Sequence, residues 1–373
     1  MSHRTTPPFR ADHVGSLLRP PALLKAREAR ERNEITAAEL AHIEDEAIRD
    51  AVKLQEDVGL EAITDGEYRR FSWNSDFLKS FSGVRVVEGK IEVHFHSDQG
   101  VIAANKPTGF RIEGKIGRPK PIFAGQFAFL KSLTRATPKA TIPSPTLLHF
   151  RGGREAVDAK AYPDMEGFYA DLAKVYREEI ADFAAAGCRY LQIDETNYAY
   201  LCDPTLREQV RTKIHEDPAQ LPHTYARLLN QAVAGRPKDM VVCIHICRGN
   251  SQSSWVAEGG YDPVAETLFN EIDVDGYFLE YDSPRAGDFS PLRFVPKGKM
   301  IVLGLVTTKR PQLETKDELK RRIDEAERYV PLEQLALSPQ CGFASTQFGN
   351  KITLDDEIAK LRLVVEVARE VWG

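Results

Sequence analysis

The stretch that decides the fold is Met240-Val-Val-Cys-Ile-His-Ile-Cys247. It is short, apolar and rich in β-branched residues, and such runs are typical of parallel strands buried on both faces. Side chains alternate along a strand, so His245 and Cys247 share one face near its carboxyl end. Alone, a His-x-Cys pair at the end of a strand is equally compatible with a buried structural role.

Seven further segments share this pattern, and amphipathic helical segments lie between them. The eight predicted strands are residues 13–16, 61–67, 140–144, 189–194, 240–247, 275–282, 300–307 and 335–341. Thr36 and Glu39 fit a capping box at the start of one helix, and Gly59 is placed to end it. Strands that alternate with helices indicate βαβ units and a parallel sheet. We therefore predict an α/β fold, a (β/α)8 TIM barrel that forms a single domain over residues 1–373.

Residues 84–129 break the alternation of strands and helices. They contain Val93-His94-Phe95-His96 and several glycines, which predict an inserted β-hairpin or arm after the second barrel unit. The arm either caps the site or mediates formation of a homo-oligomer. His94 and His96 share a strand face, and an exposed hairpin face is favoured over a second metal site.

Two more potential ligands end other predicted strands. Glu280 ends the sixth strand and Cys341 ends the eighth. In a barrel of this type all carboxyl ends face one mouth, so His245, Cys247, Glu280 and Cys341 are expected to converge there. Two thiolates, an imidazole and a carboxylate favour Zn²⁺ over magnesium, calcium or manganese.

The other cysteines are expected to be structural. Cys243 shares the face of His245 but lies one layer deeper, so it fills the barrel interior. Cys188 follows a predicted helix end, and Cys202 lies in a loop. Both are interpreted as packing residues.

Acidic residues also end predicted strands, at Glu67 and Asp194. They could cap helices or pair with arginines such as Arg69 or Arg70. Acids at the strand ends of a barrel more often bind polar substrate groups, and two of them suit an ammonium group. Backbone N–H groups at Gly15 and Ser16 suit a carboxylate or phosphate. An amine site beside an anion site suggests an amino-acid ligand.

Composition excludes several classes of protein. The net charge is -5 and the pI is about 6.1, which gives no electrostatic case for binding nucleic acid or an anionic membrane. No apolar run approaches the roughly 18 to 20 residues that span a bilayer. Residues 1–20 contain no apolar signal region, so we expect a cytoplasmic protein whose five cysteines are ligands or core residues.

Taken together, these segments resemble the cobalamin-independent methionine synthase family, specifically its short single-barrel form. The resemblance covers nearly the whole chain. It is carried by Val14-Gly15-Ser16, Asp65-Gly66-Glu67, Gln192-Ile193-Asp194-Glu195, His245-Ile246-Cys247, Glu280 and Pro339-Gln340-Cys341-Gly342.

The resemblance implies a zinc-dependent methyltransferase that activates homocysteine as a thiolate and methylates it to methionine. His245, Cys247, Glu280 and Cys341 match the zinc ligands, and Glu280 would be the exchangeable one. Among the substrate-binding positions, Glu67 and Asp194 match the acids that hold the homocysteine amino group. Gly15 and Ser16 match the backbone that receives its carboxylate.

The methyl donor is less defined. The proton-relay histidine of the family aligns with Lys309, and the donor is 5-methyltetrahydrofolate or another carrier such as a cobalamin-type one. Trp73, Tyr198 and Phe343 could stack on a pterin, although packing at the mouth or in the core is the favoured interpretation.

Two alternatives remain open. One is a zinc thiol alkyltransferase similar to the epoxyalkane:coenzyme M transferases, which would need a cationic site for a sulfonate and no paired acids. The other, from a different class, is a zinc-binding protein without turnover.

Overall fold

The computed structural model describes residues 4–97, 100–105 and 108–373. The strands in these ranges are β1 (Ala62–Ile63), β2 (Ser82–Glu88), β3 (Val93–Ser97), β4 (Gly100–Asn105), β5 (Thr108–Gly117), β6 (Thr137–Pro138), β7 (Ala140–Pro143), β8 (Tyr190–Glu195), β9 (Val241–Ile246), β10 (Gly276–Glu280), β11 (Met300–Val306) and β12 (Leu335–Pro339). The helices are α1 (Pro21–Glu31), α2 (Ala37–Val58), α3 (Ser75–Leu78), α4 (Ala124–Leu133), α5 (Leu147–Phe150), α6 (Met165–Ala185), α7 (Asn197–Tyr200), α8 (Pro204–Lys213), α9 (Leu221–Val233), α10 (Asp262–Glu271), α11 (Lys316–Glu327) and α12 (Leu354–Trp372).

The main sheet is parallel and has six strands in the order β12-β11-β10-β9-β8-β7. β1 pairs in parallel with β6, which directly precedes β7. At the other edge, Ala11 forms a parallel bridge with Leu337 of β12. An α/β fold with a parallel sheet is thereby confirmed, and seven of the eight predicted strands are present.

The prediction of a strand at residues 13–16 is wrong. Gly15 has a φ of +139°, and a Cβ atom at this position would lie 2.8 Å from Thr141 Cγ2. The close approach requires glycine and takes the backbone out of strand geometry. β1 is also shorter than predicted, because Gly66 and Glu67 have φ values of +64° and +59° and turn the chain away from the sheet.

The sheet register brings the reactive strand ends together. On β9, His245 is paired with Asp194 of β8 on one side and with Phe278 of β10 on the other. Because these strands are parallel, their carboxyl ends lie at one edge of the sheet. Apolar strand residues such as Ile246 and Leu279 are buried in the main core cluster and hold this arrangement.

Helix α2 begins and ends as its sequence predicts. Thr36 and Glu39 form the reciprocal capping box, and Gly59 ends the helix with a φ of +94°. Ile48 and Val52 on its inner face are fully or almost fully buried. No helix in the described ranges is both long enough and apolar enough to cross a bilayer.

The segment that interrupts the strand–helix alternation is antiparallel. β2 pairs with β5, and β3 pairs with β4. β3 also joins the body of the protein, since His96 and Trp255 exchange two backbone hydrogen bonds of 2.8 and 3.0 Å. Helix α4 begins at Ala124, inside the range 84–129 predicted as an insertion, and residues 98–99 and 106–107 of that range lie outside the described residues.

Candidate metal centre and substrate cavity

Four ligand-type side chains converge at the carboxyl edge of the sheet. One ligand atom from each of His245, Cys247, Glu280 and Cys341 lies within 4.8 Å of the others. His245 is the second-last residue of β9 and Cys247 follows that strand, Glu280 ends β10, and Cys341 follows β12. Within the described ranges this is the one group of three or more His, Cys, Asp or Glu residues close enough to share an ion.

Several polar atoms of this cluster are buried without partners. Both ring nitrogens of His245 and Oε2 of Glu280 make no hydrogen bond to any described residue. Oε1 of Glu280 accepts a hydrogen bond of 3.0 Å from the backbone N–H of Arg248, which fixes the carboxylate. Buried polar atoms are costly without partners, and one cation would satisfy one ring nitrogen of His245 and Oε2 of Glu280.

The two thiols are electrostatically unlike. Their sulfurs are 3.5 Å apart. The hydrogen bond from Cys247 holds the pKa of the Cys341 thiol well below its ordinary value, against the opposing effect of burial. The same bond, together with burial, raises the pKa of Cys247 well above its ordinary value. One thiolate therefore forms readily, whereas a second requires added positive charge such as a metal ion.

Glu67 and Asp194 are brought into the same cavity as this cluster. Thr141 Oγ1 donates a hydrogen bond of 2.9 Å to Oε1 of Glu67, while Oε2 of Glu67 is buried without a partner. Gln192 donates one of 2.7 Å to Asp194. Burial and then the charge of Glu67 raise the pKa of Asp194 to about 7. Two carboxyls that repel each other in a buried site are well suited to share one cationic group.

Closely packed backbone forms the wall of the cavity beside Glu67 and Asp194. Gly15 lies against Thr141, and Ser16 lies against the residue that follows Cys341. A Cβ atom at Gly342 would lie 2.0 Å from Ser16 Oγ. Ser16 lines the cavity, so this contact couples the predicted anion-binding backbone to the loop after β12 that carries the candidate ligand Cys341.

The cavity has a volume of about 340 Å³. Of the predicted aromatic residues, Trp73 lines it. Tyr198 does not: it is fully buried in the core, and its hydroxyl donates to Pro222 O at 2.7 Å. Phe343 is also a core residue. The aromatic side chain that does line the cavity on helix α7 is Tyr200, so Tyr198 cannot stack on a ligand there.

Lys309 is buried beside the candidate metal-ligand loops, which are the segments after β9 and β12 that carry Cys247 and Cys341. Its ammonium donates hydrogen bonds of 3.2 Å to Asn250 Oδ1 and to Ser254 O. Asn250 in turn donates to Gly342 O at 3.0 Å. Lys309 thus connects the loop after β9 with the loop after β12, and its positive charge lowers the pKa of Cys341 and opposes the upward shift at Glu280.

Sequence reasoning missed several residues of this cavity. Asn250 and Thr141 form part of the hydrogen-bond network, and Arg151 lines the cavity after helix α5. Arg151 is in a loop with no recognisable motif, so no sequence signal marks it. Thr141 lies on a predicted strand, and its alternation would have placed it on the interior face.

The remaining cysteines lie outside the ligand cluster. Cys188, Cys202 and Cys243 are buried free thiols. Burial raises the pKa of Cys243 and lowers the chance of an accessible thiolate at neutral pH. The sulfur of Cys243 would lie 3.1 Å from a Cβ atom at Gly276, so the packing around it is tight.

Known proteins resemble this chain over nearly its whole length. Residues 9–370 match the family model described as the catalytic domain of cobalamin-independent synthase. The uncharacterized protein YxjG of Bacillus subtilis is 46% identical over 371 residues, which cover 99% of this chain and 96% of that protein.

Solved structures agree in fold. The crystal structure of a Listeria monocytogenes protein described as a vitamin-B12-independent methionine synthase is 38% identical, with a TM-score of 0.76, and covers 99% of this chain and 100% of that one. The structure of a B12-independent methionine synthase from Shewanella in complex with selenomethionine is 18% identical, with a TM-score of 0.70. The match covers 97% of each chain. At that identity the second match concerns the fold alone.

Proposed function

Because the chain belongs to the cobalamin-independent methionine synthase family, on the match of residues 9–370 to its catalytic domain, we propose that it is a zinc-dependent methyltransferase that converts homocysteine to methionine. The observation that carries the proposal is the convergence of four ligand atoms within 4.8 Å in the same cavity region as Glu67 and Asp194. That combination suits a thiol that also bears an ammonium group.

The donor set fits zinc. Two sulfurs, an imidazole nitrogen and a carboxylate oxygen are the ligand types that tetrahedral zinc takes in proteins. His245, Cys247, Glu280 and Cys341 would hold the ion, and Glu280 is the ligand we assign as exchangeable. Arg285 supports this assignment, because its Nη2 lies 3.8 Å from Glu280 Oε2 and could pair with a released carboxylate. When bound, zinc lowers the pKa of a coordinated thiol, so that a thiolate is available near neutral pH.

The chain's own residues position the substrates. Glu67 and Asp194 bind the ammonium group of homocysteine, and the backbone at Gly15 and Ser16 receives its carboxylate. The sulfur is then held in one orientation toward the methyl group, and such positioning supplies much of the rate enhancement in a displacement reaction. The donor atom that loses the methyl group gains an electron pair, and we assign Lys309, a buried cation, to stabilise or protonate it.

The donor side of the cavity is formed by the antiparallel strands. Val93, Phe95 and Thr108 line the cavity together with Trp73. We propose that the arm caps the cavity, that Trp73 packs against the donor, 5-methyltetrahydrofolate or another methyl carrier, and that the sheet closes as a single (β/α)8 barrel. Closure is supported by the bridge between Ala11 and Leu337 and by the pairing of β1 with β6.

The test is a reconstitution. Zinc-loaded protein and L-homocysteine are incubated with 5-methyltetrahydrofolate or with methylcobalamin, and methionine is measured by mass spectrometry against a chelator-treated control. We expect zinc-dependent methionine from one donor. Stoichiometric zinc without methionine from either donor would favour a binding protein without turnover. Alkylation of coenzyme M by an epoxide would favour the alternative thiol alkyltransferase.

A further inference from the structure

Arg151 is a cavity residue that the proposed function does not use. It is 5% exposed and lines the same cavity as Glu67, Asp194 and the metal-ligand cluster. Its Nε and Nη1 atoms are buried and have no hydrogen-bond partner in the described part of the chain. Nor does any described carboxylate form an ion pair with it.

Two other buried arginines, Arg19 and Arg70, are used differently, whereas Arg248 is also buried with unpartnered nitrogens but does not line this cavity. Arg19 donates to the carbonyl groups of Ala344 and Glu67, and Arg70 donates to Thr141 O and lies 3.4 Å from Glu67. Those two guanidinium groups hold loops together. Arg151 makes no comparable contact, although Lys90 N–H donates to its backbone carbonyl at 2.9 Å and fixes the residue in place.

Burial of an unpaired guanidinium is expensive. Arginine stays charged in proteins, so it cannot escape the cost by losing a proton. The ring of Tyr200, another cavity residue, lies 5.3 Å from the Arg151 Cζ atom and offers cation–π stabilisation. That contact leaves Nε and Nη1 without a partner, and an arginine stacked on an aromatic ring is a common arrangement for binding carboxylate or phosphate.

The acidic side chains in the cavity favour a cationic partner for an anionic group that lies away from the backbone at Gly15 and Ser16. Glu67 and Asp194 are carboxyls, and Glu280 lies with the thiols of the metal cluster. An anionic group would be repelled from that side of the cavity and would be drawn to Arg151. The arrangement therefore separates the binding of an ammonium group from the binding of an anion.

We propose that Arg151 binds an anionic group, a carboxylate or sulfonate, of a small molecule held in this cavity. The site then selects organic anions. This deepens the proposed function, on which the identity of the molecule rests: the anion belongs either to the thiol acceptor or to the methyl donor.

The experiment is calorimetry on zinc-loaded protein with three probes. L-homocysteine tests the acceptor carboxylate, 3-aminopropane-1-thiol is the same thiol without that carboxylate, and 5-methyltetrahydrofolate tests the donor. Arg151→Gln is expected to lower the affinity for one of the two anionic probes by roughly tenfold or more. The affinity for 3-aminopropane-1-thiol should stay unchanged. Arg151→Lys, which keeps the charge, should restore part of the loss.

The outcomes separate the possibilities. Loss of homocysteine affinity alone shows that Arg151 binds the anionic group of the thiol acceptor. Loss of folate affinity alone shows that it binds the anionic group of the methyl donor. The proposal is overturned if Arg151→Gln binds both anionic probes within about twofold of wild type, or if it loses the carboxylate-free thiol equally, which would mark a structural role. Selective loss of an anionic probe in a protein that makes no methionine would support Arg151 and reject the proposed function.

Discussion

The sulfur of Cys247 lies 3.5 Å from the sulfur of Cys341, although 94 positions separate the two residues in the chain. The contact exists because β9 and β12 are parallel members of one sheet and both cysteines follow their carboxyl ends. A pair of buried thiols at this separation, flanked by an imidazole and a carboxylate, offers the ligand types that zinc takes in proteins, and the proposed metal site rests on them.

Replacement of Cys341 by serine should therefore remove the metal. A hydroxyl is a poor zinc ligand, and loss of one of four ligands is expected to lower bound zinc from about one per chain to well below one half. Metal content of the purified variant, measured by atomic spectrometry, checks this. Cys202→Ser is the matched control, because Cys202 is an equally buried thiol outside the ligand group. Full zinc occupancy in the Cys341 variant would contradict the assignment.

Substitution of Glu67 or Asp194 should weaken binding of the ammonium group of the substrate and change little else. In Asp194→Asn and Glu67→Gln the isosteric amides keep the shape of the cavity but remove a charge. We expect each substitution to lower the affinity for L-homocysteine by about tenfold or more, since charged hydrogen bonds contribute roughly 1.5–3 kcal/mol. Binding of 4-sulfanylbutanoate, which lacks the amino group, should change far less in the same calorimetric titrations. Equal losses for both thiols would show that the acids act on the fold.

Gly342 should tolerate no side chain, because a Cβ atom there would lie 2.0 Å from Ser16 Oγ. Gly342→Ala is expected to destabilise the protein by about 1–3 kcal/mol through overpacking and to lower its affinity for homocysteine. Ser16→Gly in the same chain should recover most of the stability. Urea unfolding of both variants measures the effect.

The matched control is Gly125→Ala in helix α4. A Cβ atom at Gly125 has nothing within 4 Å, and alanine should stabilise the helix by roughly 0.5–1 kcal/mol. If Gly342→Ala were no more destabilising than this control, Ser16 would not lie as close to Gly342 as the structure places it.

Glu357 should make the protein less stable as pH rises. Its carboxyl is fully buried and accepts a hydrogen bond of 2.8 Å from Leu18 N–H, and burial raises its pKa from 4.5 to about 8. Between these values the folded state holds a proton that the unfolded chain has lost. Stability from this group is therefore complete below about pH 4.5 and is lost as pH rises to about 8.

Glu357→Gln isolates that contribution, because glutamine can accept from Leu18 and does not titrate. The difference in unfolding free energy between variant and wild type is expected to grow in favour of the variant from pH 5 to pH 8, by up to a few kcal/mol. Chemical denaturation across this range measures it. A difference that stays constant with pH would show that Glu357 is ionised in the fold.

Lys309 should matter for the metal-ligand loops as well as for catalysis. In Lys309→Met, Asn250 Oδ1 loses its donor, and a buried acceptor left unpaired costs about 1–3 kcal/mol. Ser254 O loses the lysine and keeps a hydrogen bond of 3.4 Å from Ser251 N–H. Urea unfolding of the zinc-loaded variant should show this loss. Lys25→Met, a change at an exposed position, is the control and should stay within about 0.5 kcal/mol of wild type.

The sequence by itself determined most of the strands and named the four candidate ligands. Buried apolar runs such as the one ending in His245 and Cys247 specify parallel strands, and reactive residues at strand ends must meet at one edge when the strands are parallel. The same reasoning failed where backbone conformation depends on distant neighbours. Residues 13–16 are not a strand, because Gly15 is pressed against Thr141 from β7.

Only the tertiary structure decided which neighbours of the ligands face the cavity. Tyr198 and Tyr200 are two residues apart on helix α7, where a shift of two positions turns a side chain by about 200°, so one enters the core and the other lines the cavity. Arg151 has no motif at all. Its significance comes from burial beside Tyr200 without a partner, and burial is set by the packing of the whole chain.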